Sequence, residues 1–292
     1  MTKVAIVSTK DRIYGVNKSL ELLDFNPVKD KNVVFKPNFN TADPSPASSS
    51  METVKQLLIK LKEMGAKSIT VAERSGPADT AKVFEEKGLN ALAEELDFSI
   101  VDLTKVTKED YVVKNPEGCH WKDGILFAKI YDDAECIIET CCLKTHMYGG
   151  HFTLSLKNAV GLVSKNKMGE LHSSKDQRKM IAEINAVYKP DLIIMDGVTT
   201  FVDGGPMEGT RKEANIFVAG TDKVAIDAVG VALLRILGTT PEVTNGSIFE
   251  QEQIKRAVEL GIGITSPEEI EFISDSEEAE KLVSQIKEKL FE

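Results

Sequence analysis

Residues 1–102 alternate between short apolar, β-branched runs and amphipathic segments with helical spacing. The apolar side chains Val54, Leu57, Leu58 and Leu61 fall on one face of a predicted helix. Strands that alternate with helices favour crossover connections and a parallel sheet. Four runs have the composition of buried strands, at residues 3–8, 32–36, 68–72 and 98–102.

The pattern changes in the middle of the chain. Residues 111–130 are typical of a β-hairpin, with turn signals at Asn115-Pro116 and Asp123-Gly124. Buried strands return at residues 135–140, 191–196 and 215–220. We therefore predict an α/β fold with a mostly parallel sheet, flanking helices and an inserted antiparallel β region. We expect one domain over residues 1–292, with the β insertion at about 105–132.

The charge and hydropathy of the chain limit the classes of partner that it is expected to bind. Its 36 basic and 46 acidic side chains leave a net charge of −10, which argues against nucleic-acid binding. No run approaches the roughly 18 apolar residues of a membrane span, so we expect no membrane partner. The N-terminal apolar run is shorter than that of a secretory signal, which predicts a cytoplasmic protein.

Polar residues follow the predicted strands. Ligands of open α/β sheets bind beyond the carboxyl ends of the strands, and we expect these positions to share one edge. Pro37 biases Lys36 to an extended conformation and presents its ammonium group in a defined direction. The residues that follow the strands include Lys36, Asn38, Arg74, Asp196 and the pair Thr221-Asp222.

Residues 144–161 form the densest polar segment. Gly149-Gly150 precedes a predicted helix over residues 153–163, which Thr153 would cap. A helix N-terminus beside glycines and lysines is typical of an anion site. The ligand-binding candidates of this segment are Thr145, Lys157 and Asn158, which join Lys36, Asn38 and Arg74.

Catalysis and metal binding are both open for this segment. His146 could act as a general acid or base at neutral pH, with Lys144 and Asp196 as the other catalytic candidates. Alternatively, His146 and His151 could hold a divalent metal with Asp196 or Asp203. The spacing of the two histidines matches no known ligand signature, and a surface loop is the plainer interpretation.

Two further positions are singled out by their surroundings. Gly205 lies in the turn sequence Asp203-Gly204-Gly205-Pro206 and is a ligand-binding candidate. Asp227 follows a predicted helix cap at Asp222 and stands among apolar neighbours. It would lie either on a solvated helix face or buried against a lysine.

Motifs of several well-known classes are missing. The chain has no G-x-G-x-x-G, Walker A, G-x-S-x-G or H-E-x-x-H sequence. No motif therefore supports a Rossmann dehydrogenase, a P-loop NTPase, a serine hydrolase or a zinc protease. The cysteines are Cys119, Cys136, Cys141 and Cys142, and none forms a C-x-x-C pair. They are expected to be buried free thiols, with metal binding by the adjacent pair as the alternative.

Taken in order, several of these motifs resemble the DUF362 family, a domain of unknown function. The resemblance covers most of the chain and implies an association with ferredoxin-like iron–sulfur modules, which many relatives carry. This chain lacks a C-x-x-C-x-x-C run, which argues against an intrinsic cluster and leaves a separate ferredoxin-like partner open. The motifs are Lys36-Pro37-Asn38, Lys144-Thr145-His146, residues 153–158 with Gly161, Asp196-Gly197, Gly205-Pro206 with Gly209, and Asp222 with residues 225–227.

The sequence leaves three functional hypotheses. The first is an enzyme that acts on a small anionic metabolite, bearing phosphate or carboxylate, in a lysine- and histidine-lined pocket, with metal assistance as an option. The second is a redox or iron–sulfur-associated protein. The third is a non-catalytic domain that binds a small ligand with the same lysines.

Overall fold

A computed structural model describes all residues, 1–292, and contains one large sheet and one small one. The strands are β1 (Thr2–Ser8), β2 (Asn32–Lys36), β3 (Ser68–Glu73), β4 (Ser99–Asp102), β5 (Tyr111–Lys114), β6 (Ile125–Ala128), β7 (Cys136–His146), β8 (His151–Thr153), β9 (Leu192–Phe201), β10 (Arg211–Gly220) and β11 (Ile270–Ser274).

Twelve α-helices connect and cover these strands. They are α1 (Arg12–Leu23), α2 (Met51–Glu63), α3 (Thr80–Glu86), α4 (Leu89–Leu96), α5 (Lys129–Asp132), α6 (Ser155–Asn158), α7 (Met168–Ser173), α8 (Gln177–Ile184), α9 (Lys223–Leu237), α10 (Pro241–Thr244), α11 (Glu252–Glu259) and α12 (Glu277–Leu290). None of them is both long and apolar enough to span a bilayer.

The large sheet is mostly parallel. Its strand order is β11-β1-β10-β9-β7-β2-β3-β4, with β8 added beside β7. Only β10, which lies antiparallel between β1 and β9, and β8 depart from the common direction. β5 and β6 form the small antiparallel sheet within the predicted insertion. The predicted fold class is therefore confirmed.

Helices cover both faces of the large sheet. Val4 and Ile6 on β1 face a core shared with α9, α11 and α12, whereas Ala5 and Val7 face a core shared with α1 and α2. Strands buried on both faces have near-continuous apolar sequences, which explains the composition of the predicted runs. The hairpin packs on the same face as α7 and α8, over a third apolar cluster.

Three sequence predictions about elements need correction. β7 continues through His146, so Lys144 and His146 lie on a strand and not in a loop. The predicted helix over residues 153–163 is instead the end of β8, the single turn of α6 and a 3-10 turn at Ala159–Leu162. Because β10 runs antiparallel, Asp222 lies at the opposite edge from Lys36, where it caps α9 by accepting from the Ala225 N–H.

Candidate functional site

A cavity of about 930 Å³ lies where the carboxyl ends of β2, β3 and β7 meet. Its walls are completed by β8, α6, α7 and the turn after Gly205. The charges around it are unequal, because a single carboxylate, Glu73, faces five basic side chains: Lys36, Arg74, Lys144, Lys157 and Lys165. The cavity is therefore cationic, although the whole chain carries a net charge of −10.

Lys36 is held in a buried network at one end of the cavity. Its Nζ donates to Glu73 Oε2 at 2.7 Å, to Asn158 Oδ1 at 3.0 Å and to the Pro37 carbonyl oxygen at 2.7 Å. Asn38 Nδ2 also donates to Asn158 Oδ1, at 3.2 Å. An ammonium group has three N–H donors, and all three are used here. Lys36, Asn38 and Asn158 therefore join β2, β3 and α6, and the charge of Lys36 is balanced by Glu73.

Arg74 supports the wall that follows α6. Its guanidinium donates to the carbonyl oxygens of Val160 at 2.7 Å, Val163 at 3.0 Å and Ser75 at 3.1 Å. Burial lowers the pKa of Arg74. Bonds to three carbonyl oxygens fix the backbone beside the cavity and leave the positive charge without a carboxylate in direct contact.

Lys144 and Lys157 differ in how their ammonium groups are satisfied. Lys144 Nζ donates to the carbonyl oxygens of Ala47 at 2.5 Å and Pro206 at 3.1 Å, and burial lowers its pKa to about 8. Lys157 forms no hydrogen bond or ion pair, and its pKa is lowered to about 7 by burial and then by the charges of Lys144 and Arg74. Both side chains face the cavity, which therefore holds two cations that repel each other.

His146 lines the same cavity and has one polar atom without a partner. Its Nδ1 is buried and has no hydrogen-bond partner. Burial, followed by the charges of Lys157 and Lys144, lowers the pKa of His146, so its imidazole is neutral. The ring packs edge-on against Tyr148, with centroids 5.9 Å apart. A neutral imidazole in this position can exchange a hydrogen bond or a proton with a bound molecule.

Asp227 holds the turn that carries Lys157 and Asn158. Its Oδ1 accepts from the backbone N–H groups of Ser155 at 2.8 Å and Leu156 at 3.2 Å. The carboxyl group is fully buried, and burial raises its pKa. Of the two sequence alternatives, a solvated helix face is excluded, and the buried carboxyl group contacts backbone N–H groups and Gln253 instead of a lysine. The first N–H groups of α6 are occupied by Asp227, so the predicted anion site at this helix N-terminus is not available.

The family model described as "Domain of unknown function (DUF362)" matches residues 33–232. This range includes every side chain that lines the cavity. The chain belongs to the DUF362 family. The predicted family membership is therefore confirmed.

Two further proteins are similar to this DUF362 chain. A thylakoid-associated protein of Synechocystis sp. is 28% identical over 146 residues, which is 47% of this chain and 44% of that protein. The chain thus matches less than half the length of this curated relative. The lactate racemase apoprotein from Thermoanaerobacterium thermosaccharolyticum superposes with a TM-score of 0.49 and 14% identity, over 97% of this chain and 85% of that one. Likeness at that level carries no argument about activity.

Two of the predicted site residues lie on the central strands of the DUF362 protein but outside the cavity. Asp196 is in the middle of β9, not at its end, and accepts from Arg12 Nε at 2.8 Å and Thr53 Oγ1 at 2.7 Å. Thr145 alternates with Lys144 and His146 on β7, so its hydroxyl group points to the other face and contacts the Phe201 carbonyl oxygen. Neither the Asp196 carboxylate nor the Thr145 hydroxyl group therefore lies in the cavity with His146.

The predicted metal ligands His146, His151 and Asp203 are also not assembled. His151 does not line the cavity, and the charged groups that act on its pKa are Arg178, Glu242 and Glu252. Asp203 is exposed and accepts from the Thr210 N–H at 2.9 Å. No group of three or more His, Cys, Asp or Glu side chains is arranged to hold a metal ion.

Gly205 contributes backbone to the site, not a ligand contact. A Cβ atom there would stand 2.1 Å from the Thr145 carbonyl oxygen, and its φ of +70° favours glycine. This close approach lets the following residue, Pro206, reach the cavity and accept from Lys144.

The cysteines of this DUF362 chain do not fit an iron–sulfur cluster. Cys136, Cys141 and Cys142 are buried on β7, and Cys119 lies apart in the hairpin region. Cys141 and Cys142 are adjacent on a strand and face opposite sides of the sheet. Burial raises the pKa of both thiols, which disfavours the thiolate form that a metal requires.

Several polar cavity residues were not among the predicted site residues, including Glu73, Lys165, His172 and Gln177. Glu73 ends β3, and its position directly after an apolar run is a signal that could have identified it. Lys165, His172 and Gln177 come from the segment around α7 and α8. No sequence signal marks them, because only the packing of these helices over the sheet brings them to the cavity.

Proposed function

We propose that this DUF362 protein is an enzyme that acts on a small anionic metabolite, bearing carboxylate or phosphate, in the cavity beside β7. The observation that carries the proposal is the charge of the cavity. Five basic side chains and only one carboxylate line it, although the whole chain has a net charge of −10. Burying cations together is unfavourable unless an anion compensates them. A bound anion would remove the repulsion between Lys144 and Lys157.

The cavity residues divide into groups with different roles under this proposal. Lys144 retains one N–H donor after its two bonds to carbonyl oxygens, and Lys157 retains all of its donors, so these two bind the anion. Lys36, Asn38 and Asn158 hold α6 in position, and Arg74 holds the wall behind it. A bound anion would offset the charges of Lys157 and Lys144 that lower the pKa of His146, and His146 would then move a proton to or from the substrate. No metal ligand set supports metal assistance.

Binding of small anions tests the first half of the proposal. Isothermal titration with sodium sulfate, sodium phosphate and sodium pyruvate should detect a single site. Lys157→Met should weaken binding by about 10-fold or more, since a charged hydrogen bond contributes about 1.5–3 kcal/mol. Lys281→Met, at an exposed position of α12, should leave the affinity unchanged. Absence of binding for all three anions would refute the proposal.

A turnover measurement tests the second half of the proposal, that the protein is an enzyme. Carboxylated and phosphorylated metabolites that bind are incubated with the protein and followed by NMR. The His146→Ala variant should still bind these molecules but should lose turnover, by about 100-fold or more if His146 transfers a proton. A protein that binds anions and converts none of them would instead be a ligand-binding domain. The same lysines favour that second function.

A further inference from the structure

Lys157 is unusual among the buried basic residues of this protein. Lys36 is paired with Glu73, Lys144 with two carbonyl oxygens, and Lys223 with Asn185. Lys157 is 8% exposed, points into the cavity and has no hydrogen-bond partner. Its ammonium group meets the cavity instead of a protein acceptor, so all of its N–H donors are open to a bound molecule. Such a position indicates a chemical role.

The surroundings of Lys157 favour its uncharged amine. Lys144 and Arg74 act on it electrostatically, and no carboxylate compensates it. Its pKa of about 7 leaves a substantial part of the amine unprotonated at neutral pH. A lysine that is desolvated beside other cations is activated as a nucleophile toward carbonyl carbon, because only the neutral amine has a free electron pair.

Gly150 brings this amine next to the free nitrogen of His146. A Cβ atom at Gly150 would stand 2.6 Å from Lys157 Cε and 3.1 Å from His146 Nδ1. Any larger residue would therefore separate the two side chains. The side chains of Lys157 and His146 thus pack against the same glycine, and both line the cavity.

We propose that Lys157 forms a Schiff base with the carbonyl carbon of a small 2-oxo carboxylate, an inference that rests on the anion-binding function proposed above. The Lys157 Nζ electron pair forms a bond to the carbonyl carbon, and the carbonyl oxygen takes up a proton to give a carbinolamine. The carbon–oxygen bond then breaks, and the hydroxyl group leaves as water after a second protonation. The nitrogen releases one proton and remains as a protonated imine. The sum is amine, ketone and one proton giving iminium and water, without an oxidant or reductant.

The charges of the site select the substrate class. The iminium nitrogen would be positive beside Lys144 and Arg74, so the substrate must supply negative charge close to its carbonyl carbon. A carboxylate on the adjacent carbon meets this need and can accept from the remaining N–H of Lys144. His146 lines the cavity beside Lys157 and would exchange the proton of the carbinolamine hydroxyl group.

Reductive trapping tests the inference. The full chain is incubated with sodium pyruvate and sodium cyanoborohydride near pH 7, and intact mass spectrometry followed by peptide mapping locates the adduct. We expect one reduced adduct, on Lys157. Lys157→Arg keeps a positive charge but should form no adduct, whereas Lys281→Arg, at an exposed position of α12 outside the cavity, should be labelled as before. His146→Ala should slow trapping by about 10-fold or more.

The outcomes separate this inference from the proposed function. Thermal unfolding of each variant verifies that it is folded before trapping. Calorimetric binding of pyruvate without an adduct, or with adducts only on other amines, would overturn the Schiff base and leave anion binding intact. Failure of pyruvate, phosphate and sulfate to bind would overturn both.

Discussion

At the scale of single residues, the cavity contains lysines in two electrostatic states. Lys36 lies 2.7 Å from a carboxylate oxygen of Glu73, and both side chains are buried. Lys144 and Lys157 contact no carboxylate, and their pKa values are lowered to about 8 and about 7. The paired lysine serves the architecture, and the unpaired lysines are available to a ligand. Sequence alone does not separate them, because all three follow or flank apolar runs.

The unpaired lysines predict that anion affinity depends on pH. A bound anion favours the ammonium forms, whereas the free protein loses these protons as pH rises. Sulfate affinity should therefore fall by about 10-fold per pH unit just above pH 7, and more steeply above pH 8. Titration calorimetry between about pH 6 and pH 9 measures this, because sulfate keeps its charge there. Lys157→Met should remove the lower step, and a flat profile in the unmodified protein would contradict the argument.

Removing Lys36 from its buried ion pair with Glu73 should cause a large loss of stability. Lys36→Met leaves Glu73 as a buried, unpaired carboxylate and should lower the free energy of unfolding by about 3–5 kcal/mol. The double variant Lys36→Met/Glu73→Gln should recover much of this loss. Urea unfolding measures both, with Lys55→Met as the control, since the Lys55–Glu95 pair is exposed. Equal losses of unfolding free energy in the Lys36 and Lys55 variants would show that the buried pair contributes no more to stability than the exposed pair.

At the scale of elements, one turn of helix and one tight turn position the functional side chains. α6 is only four residues long and could not be stable alone, so it depends on Asp227 and on the Lys36–Asn158 bond. The turn at Gly205 lies against the Thr145 backbone and delivers Pro206 to Lys144. Both supports come from residues distant in sequence from the side chains that they hold.

The role of Asp227 as the acceptor for α6 can be separated from its charge. Asp227→Ala leaves two buried backbone N–H groups without an acceptor and should cost about 2–4 kcal/mol of unfolding free energy. Asp227→Asn retains an acceptor oxygen and should cost clearly less. Chemical unfolding gives the stabilities, and sulfate titration should show weaker binding in the alanine variant because Lys157 is displaced. Equal effects of the two substitutions would mean that the charge, not the acceptor, supports α6.

The turn at Gly205 predicts a steric effect. In Gly205→Ala the new Cβ would stand 2.1 Å from the Thr145 carbonyl oxygen, at a φ of +70°. We expect the free energy of unfolding to fall by about 1–3 kcal/mol. Sulfate binding should also weaken, since Pro206 must move away from Lys144. Gly169→Ala is the matched control, because α7 leaves its Cβ in open space and alanine favours a helix. Thermal unfolding compares the two, and equal stability of both variants would refute the steric argument.

At the scale of the whole molecule, strand direction decides what the cavity contains. β2, β3, β7 and β9 run parallel, so the residues at the ends of the first three converge on one edge. β10 runs the other way and carries Asp222 to the opposite edge. The result concentrates basic side chains at one edge of an acidic molecule, which is the arrangement that an anion-binding site requires.

The sequence by itself determined the α/β class, the antiparallel insertion and the family, because apolar runs and ordered motifs are local properties of the chain. It also identified Lys36, Asn38, Arg74, Lys144, His146, Lys157 and Asn158, all of which line the cavity. Only the tertiary structure excluded Asp196, Thr145, His151 and Asp203 from the cavity and added Glu73 and His172. The physical reason is that strand length, direction and register set where a side chain points. These depend on contacts between distant segments, such as those of β7 with β2 and β9.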